Sequence, residues 1–288
     1  MESCHRKYLF TPHWQAGACV SGGHAAIVMA QNLFRLDGKT AFVSGSRGHL
    51  GQAMTRALAE AGAHVLVNGR DPVALKAFAA ELAAQGLSVE AVPFDAHDVH
   101  KIRSFFGGLT RLDVLVNNIG FMEAKSFTQL QPADFAATYA ATVTTAFESV
   151  RAARPALRQA VAVSGDASVI NISSMYGQVS PDARLYDKRE QQSPFHYGPA
   201  KAGLEQLTRH LAAELGPEKI RVNALAPGPF PQPGKMPPGL EQRLAGRTML
   251  GRIGRAEEIG GPLLFLAAPA SSFVTGICLT ADGGWTVW

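Results

Sequence analysis

Tyr197 and Lys201 stand four positions apart in "HYGPAK", residues 196–201. On a helix, residues at that spacing lie one above the other on one face, so the pattern sets an ammonium beside a phenol. A phenol ordinarily loses its proton near pH 10, too high for a base at neutral pH, and a neighbouring cation favours the phenolate. The pair is therefore a candidate device for moving a proton. Tyr-x-x-x-Lys also arises by chance at an ordinary helix start, so the surrounding chain has to decide.

A second chemical signal is "SGSRGHLG" (44–51), which follows the apolar run "TAFVSG" (40–45). Gly45, Gly48 and Gly51 make it a glycine-rich strand-to-helix turn. Such a turn lets backbone N–H groups at a helix N-terminus approach a pyrophosphate. The candidate cofactor residues here are Gly45, Ser46, Arg47, Gly48, His49, Leu50 and Gly51. The second strand ends in "VNGRD" (67–71), where an acidic residue would bind the ribose of NAD. Asn68 and Gly69 stand there and Arg70 follows; a guanidinium pairs bidentately with a 2′-phosphate, which favours NADP over NAD. In the competing reading Arg70 pairs with Asp71 or solvent, Asp71 holds the ribose, and NAD is the cofactor.

Positioning these groups requires a scaffold, and the order of elements supplies one. Strand-like runs at 40–45, 63–69, 89–95, 112–118, 168–174, 220–227 and 277–284 alternate with Ala- and Leu-rich helical segments such as 51–62 and 200–216. Alternation of this kind predicts an α/β fold: one Rossmann domain with a seven-stranded, doubly wound parallel sheet flanked by helices. In the helix carrying Lys201, the residues Ala200, Leu204, Leu207, Leu211 and Leu215 share one face. Pro199 is tolerated if that helix begins near His196, because first-turn N–H groups have no helical partner. The proline-rich stretch "APGPFPQPGKMPPG" (226–239) reads as a loop, and its place after a strand suits a lid or binding segment.

The chain has 288 residues, 47% of them hydrophobic and 17% charged, enough to bury the core of one such domain. The net charge of +4 is spread without a basic run, which argues against a nucleic-acid partner. No apolar run reaches membrane-spanning length. Three cysteines, Cys4, Cys19 and Cys278, imply no disulfide framework and suit a reducing cytoplasm. Residues 1–33 lack helical or strand periodicity and are expected to be a disordered tail, or to include a start placed upstream of Met29, with the domain at 34–288. Cys4, His5, His13, Cys19 and His24 fit no zinc spacing, so no metal is expected.

From Phe34 onward the chain resembles the short-chain dehydrogenase/reductase family. The resemblance rests on "FRLDGKTAFVSG", the glycine turn, "FDAHD" (94–98), "NNIG" (117–120), "INISS" (170–174), Tyr197 with Lys201, "NALAPG" (223–228) and "TADGGW" (280–285), in that order. It implies an NADP- or NAD-dependent oxidoreductase, commonly tetrameric, acting on a small alcohol or ketone. Tyr197 would be the general acid/base, Ser174 would hydrogen-bond the substrate oxygen, and Lys201 would support the phenol and hold the nicotinamide ribose. The family spacing, three residues before Gly177, selects Ser174 over Ser173. Asp95 and Ala96 would meet the adenine, Asn118, Ile119 and Gly120 would pass the adenosine ribose, and Pro227 and Gly228 would border the nicotinamide. "VLVNGRD" and "DGGWTVW" add a fainter likeness to gluconate 5-dehydrogenase and related sugar-acid and polyol reductases.

Several positions depart from the family pattern. His49 stands where the middle glycine of the turn is usual, Ile119 where alanine is usual, and Thr142 where an asparagine helps relay the proton. Thr142 is therefore the fourth candidate catalytic residue. The alternative these departures leave open is a catalytically weak or inactive nucleotide-binding protein of this fold, acting as a sensor or partner subunit. Ser174 and Tyr197 are also 23 positions apart, a longer connection than usual. Arg184, Lys188 and Arg189 within it are candidates to meet a substrate carboxylate or phosphate, or else form a solvated loop.

Overall fold

A computed structural model describes residues 33–120, 123, 125–188 and 191–287. The expectations for residues 1–32, with Cys4, Cys19 and the histidines beside them, fall outside the described residues, as does Arg189. Leu33, assigned to the tail from sequence, accepts a hydrogen bond through its carbonyl from Ala270 N at 3.0 Å.

Seven strands form one parallel sheet: β1 (Thr40–Val43), β2 (His64–Gly69), β3 (Val89–Pro93), β4 (Val114–Asn117), β5 (Ala167–Ile172), β6 (Ile220–Pro227) and β7 (Cys278–Ala281). Their order is β3-β2-β1-β4-β5-β6-β7. The winding direction reverses between β1 and β4, so a crevice opens at their carboxyl ends, the place where ligands bind in open α/β sheets. Several predicted strands run one to three residues too long at their C-termini. Those residues, such as Ser173 and Ser174 after β5, leave the ladder to form the site.

Alternation along the strands divides the core into two layers. Val43, Val65, Val116 and Ile170 face α1 (His49–Glu60), α2 (Pro72–Ala84) and α8 (Gly260–Ala267), burying Met54, Leu58, Leu75, Leu82 and Leu263. Phe42, Leu115, Val169 and Val222 face α3 (Val99–Gly107), α5 (Thr145–Ser164) and α6 (Tyr197–Leu215), burying Phe106, Leu157 and Leu215. Local chemistry starts these helices where the sheet needs them. Asp71 Oδ1 accepts from Val73 N and Ala74 N, and Pro72 occupies the first turn of α2. Asp98 caps α3 in the same way. The helix α4 (Pro132–Tyr139) runs into α5 through one π-helical turn, Ala140–Thr144. The remaining helix, α7 (Leu240–Arg247), follows the proline-rich loop.

Candidate active site

The glycine turn is held by its polar neighbours. Gly45 has φ +63°, a left-handed conformation that favours glycine, and a Cβ there would come within 3.0 Å of Asn118 O. Asn118 donates from Nδ2 to Ser44 O at 3.1 Å and to Gly45 O at 3.3 Å, tying the end of β4 to the turn. Ser46 points inward: its hydroxyl donates to Val43 O and accepts from Asn68 N at 2.9 Å. Asn68 donates in turn to Val92 O and Phe94 O, so Ser46 and Asn68 brace three strand ends. Gly48 offers α1 no side-chain cap, which leaves the first-turn N–H groups available to an anion.

A cavity of about 650 Å³ lies over this turn and runs to Ser174, Tyr197 and Lys201. Of the residues proposed from sequence, it gathers Gly45, Arg47, Gly48, His49, Leu50, Gly51, Asn68, Gly69, Arg70, Asp95, Ala96, Asn118, Ile119, Gly120, Pro227 and Gly228 around one space. Ser46 and Thr142 do not line it. Phe94, His97 and Phe230 do, and were not singled out from sequence; Asp71, the ribose ligand of the competing reading, and Ser173, passed over for Ser174, line it too. Arg47 and Arg70 are exposed at the rim, and neither guanidinium has a side-chain hydrogen bond or ion pair among the described residues. Asp71 instead spends Oδ1 on capping α2. The set suits a dinucleotide: a helix N-terminus for its pyrophosphate and two uncommitted cations, Arg47 and Arg70, lining the same cavity.

At the far end, Ser174 begins a short 3₁₀ turn, Met175–Gly177, with its Oγ accepting from Tyr176 N at 3.2 Å. A Cβ on Gly177 would come within 2.7 Å of Glu205 Oε1, so the turn presses onto α6 only with glycine there. Ser173 is committed elsewhere: it donates to Glu205 Oε1 at 2.7 Å and to Lys201 O at 3.3 Å. Ser174 faces the phenol of Tyr197. Burial raises the Tyr197 pKa above the usual phenol range, and the hydrogen bond with Ser174 opposes that rise. Lys201, 4% exposed, donates from Nζ to Ile172 O at 2.7 Å and lies 5.6 Å from the centre of the Tyr197 ring. Burial pulls its pKa down to about 8. Burial thus favours the protonated phenol.

Thr142 is in the π-helical turn and is 2% exposed, with its Oγ1 unpartnered. The long connection from Ser174 to Tyr197 folds against α7: Arg243 donates to Leu185 O at 2.5 Å and to Asp187 Oδ2 at 2.9 Å. Arg184 is held by Asp182 through two bonds of 2.9 and 2.7 Å, so its charge is already matched. Lys188 is exposed. Sequence reasoning also missed His196 and Glu205, two buried polar side chains whose partners are remote in the chain. Among the described residues, no cluster of His, Cys, Asp and Glu could hold a metal ion, and no helix is long and apolar enough to cross a membrane.

Residues 46–286 match the family model described as enoyl-(acyl carrier protein) reductase. The 3-oxoacyl-[acyl-carrier-protein] reductase of rhamnolipid biosynthesis from Pseudomonas aeruginosa is 34% identical over 260 residues, covering 87% of this chain and 97% of that protein. Galactitol 2-dehydrogenase (L-tagatose-forming) from Cereibacter sphaeroides is 32% identical over 263 residues, covering 90% and 99%. Among solved structures, a gluconate 5-dehydrogenase from Burkholderia cenocepacia, in complex with NADP and tartrate, superposes with a TM-score of 0.79 at 28% identity, covering 90% of this chain and 99% of that one.

Proposed function

Because the chain belongs to the short-chain dehydrogenase/reductase family and is an NAD(P)-dependent oxidoreductase, we propose that it interconverts a secondary alcohol and a ketone with NADP(H), on a polyol or sugar acid. The observation that carries this reading is the single cavity joining Ser174, Tyr197 and Lys201 to a glycine turn flanked by Arg47 and Arg70. Two unpaired guanidinium groups at the rim favour a 2′-phosphate, hence NADP over NAD. The relatives support the substrate class: one is a galactitol dehydrogenase, and another was solved with NADP and tartrate.

The bound nicotinamide supplies or accepts the hydride. The chain's own residues handle the proton. In the reducing direction Tyr197 Oη gives its proton to the substrate oxygen, and the raised phenol pKa keeps that proton in place beforehand. Ser174 Oγ donates a hydrogen bond to the same oxygen as negative charge develops on it. Lys201, displaced from Ile172 O or shared with it, brings a positive charge to the phenol and helps it release the proton. Thr142 serves the relay behind Lys201, with its unpartnered hydroxyl available to a bridging water.

The same reading places the protein in the cytoplasm as a homo-oligomer, a tetramer or dimer. Phe135, Tyr139 and Phe147 are exposed on α4 and α5, and Phe273 and Ile277 are exposed ahead of the edge strand β7, apolar surface of the kind a second copy covers. Initial rates with galactitol and gluconate plus NADP⁺, and with L-tagatose plus NADPH, test the substrate class. Turnover of at least one is expected; activity confined to 3-oxoacyl thioesters would overturn the polyol or sugar-acid assignment.

A further inference from the structure

His196 is the one histidine that is fully buried among the described residues, at 1% exposure, and it immediately precedes Tyr197. It stands at the N-cap of α6 yet makes no side-chain cap to that helix. Its ring reaches two other segments instead. Nδ1 lies 2.9 Å from Thr138 Oγ1 on α4, and Nε2 lies 3.1 Å from Glu123 O in the connection between β4 and α4. A carbonyl can only accept, so Nε2 carries a proton directed at Glu123 O. Thr138 has no exposure and Oγ1 has the imidazole as its side-chain partner, so that bond is sheltered from water, while the bond to Glu123 O is part-buried.

The neighbouring contacts reinforce the grip. The Phe135 ring meets the imidazole edge-on with centroids 6.1 Å apart. Phe195, the preceding residue, packs on Phe127 at 5.0 Å. Lys125 bonds Asp134 at 2.6 Å and Glu123 at 3.4 Å, and Asp134 accepts from Gln131 N at the start of α4. Ile119 and Gly120, shortly before Glu123 in the sequence, line the same cavity as Tyr197. Residues 195 and 196 thus contact Phe127 and Glu123 beside the catalytic phenol.

We infer that His196 is a positioning residue that ties Glu123 and the α4 residue Thr138 to the start of α6, and so sets how a substrate is held beside Tyr197. Loss of these bonds would loosen that attachment while leaving the cofactor end of the cavity intact. The kinetic part of the test rests on the oxidoreductase reading; the structural part does not.

The full chain is compared as wild type, His196→Phe, His196→Gln and Thr138→Val. Hydrogen exchange of peptides covering 120–130 should quicken at least tenfold in His196→Phe and severalfold in Thr138→Val, with other peptides unchanged. Glutamine keeps a donor and an acceptor and should restore most of the protection. NADPH dissociation constants, read by fluorescence, should stay within about twofold. With galactitol and NADP⁺, kcat/KM should fall roughly tenfold in His196→Phe, mainly through KM. If the wild type does not turn galactitol over, the substrate reading is at fault and the exchange data still decide the role of His196. If His196→Phe does not fold, Thr138→Val carries the test. Unchanged exchange at 120–130, a rise spread evenly over the protein, or a glutamine variant that behaves like phenylalanine would overturn the inference.

Discussion

Replacing Lys201 by methionine should make the cofactor-free protein more stable at neutral pH while crippling it as an enzyme. The ammonium is buried, and burial is the cause that lowers its pKa from 10.5 to about 8. At 1.36 kcal/mol per tenfold, that gap corresponds to a handicap of roughly 3 kcal/mol when the lysine is charged in both folded and unfolded states. Methionine fills the same space without charge, and it forgoes the bond to Ile172 O, worth about 1 kcal/mol. The net gain is about 2 kcal/mol at pH 7, or a rise in Tm of about 3–4 °C for a chain of this size. A lysine with a lowered folded-state pKa binds fewer protons folded than unfolded, so wild-type stability climbs as pH rises from about 8 to 10.5. The advantage of the variant should therefore shrink by roughly 2 kcal/mol between pH 7 and pH 9.5. Urea unfolding of both apoproteins at the two pH values measures this. A variant that is less stable than wild type at pH 7, or a difference that does not change with pH, would refute the burial argument.

Other outcomes follow from the same geometry. Arg70→Ala should weaken NADPH binding by about 10- to 100-fold with little effect on NADH, read by cofactor titration, and adding Arg47→Ala should extend the loss. Thr142→Val removes a buried, unpartnered hydroxyl and should leave the apoprotein as stable or more stable by about 1 kcal/mol, while turnover falls roughly tenfold if the hydroxyl serves the proton relay. Thr142→Asn should be tolerated or faster. Asp71→Ala should cost about 1 kcal/mol in urea unfolding through its lost cap on α2.

Those features whose causes are local were legible in the sequence. The apolar runs gave the seven strands because parallel strands buried on both faces must be almost wholly apolar. The glycine turn was readable because Gly45 needs a backbone few other residues adopt. The strand ends were overestimated because small residues beyond β5 look like strand but turn away to form the site. Ser46 resembled a phosphate ligand by its place in the turn, yet its hydroxyl satisfies Val43 O, a choice only the fold decides. His196 was hidden for a similar reason: Thr138 is 58 residues away and Glu123 is 73. The π-helical turn at Thr142 adds one residue to a helical circuit and leaves no compositional mark. Arg184, offered from sequence as a group to meet a substrate anion, pairs with the aspartate two residues before it, a contact that is local in the chain.

The central claim is that Tyr197 moves the proton in an NADP(H)-dependent redox reaction, and the most direct measurement pairs turnover with cofactor binding in wild type and Tyr197→Phe. With whichever of galactitol, gluconate or L-tagatose the wild type accepts, the variant should lose about 100-fold or more in kcat while its NADPH dissociation constant stays close to that of wild type. A variant that keeps most of the wild-type rate, or a wild type that binds NADPH tightly and turns over no alcohol or ketone, would contradict the account.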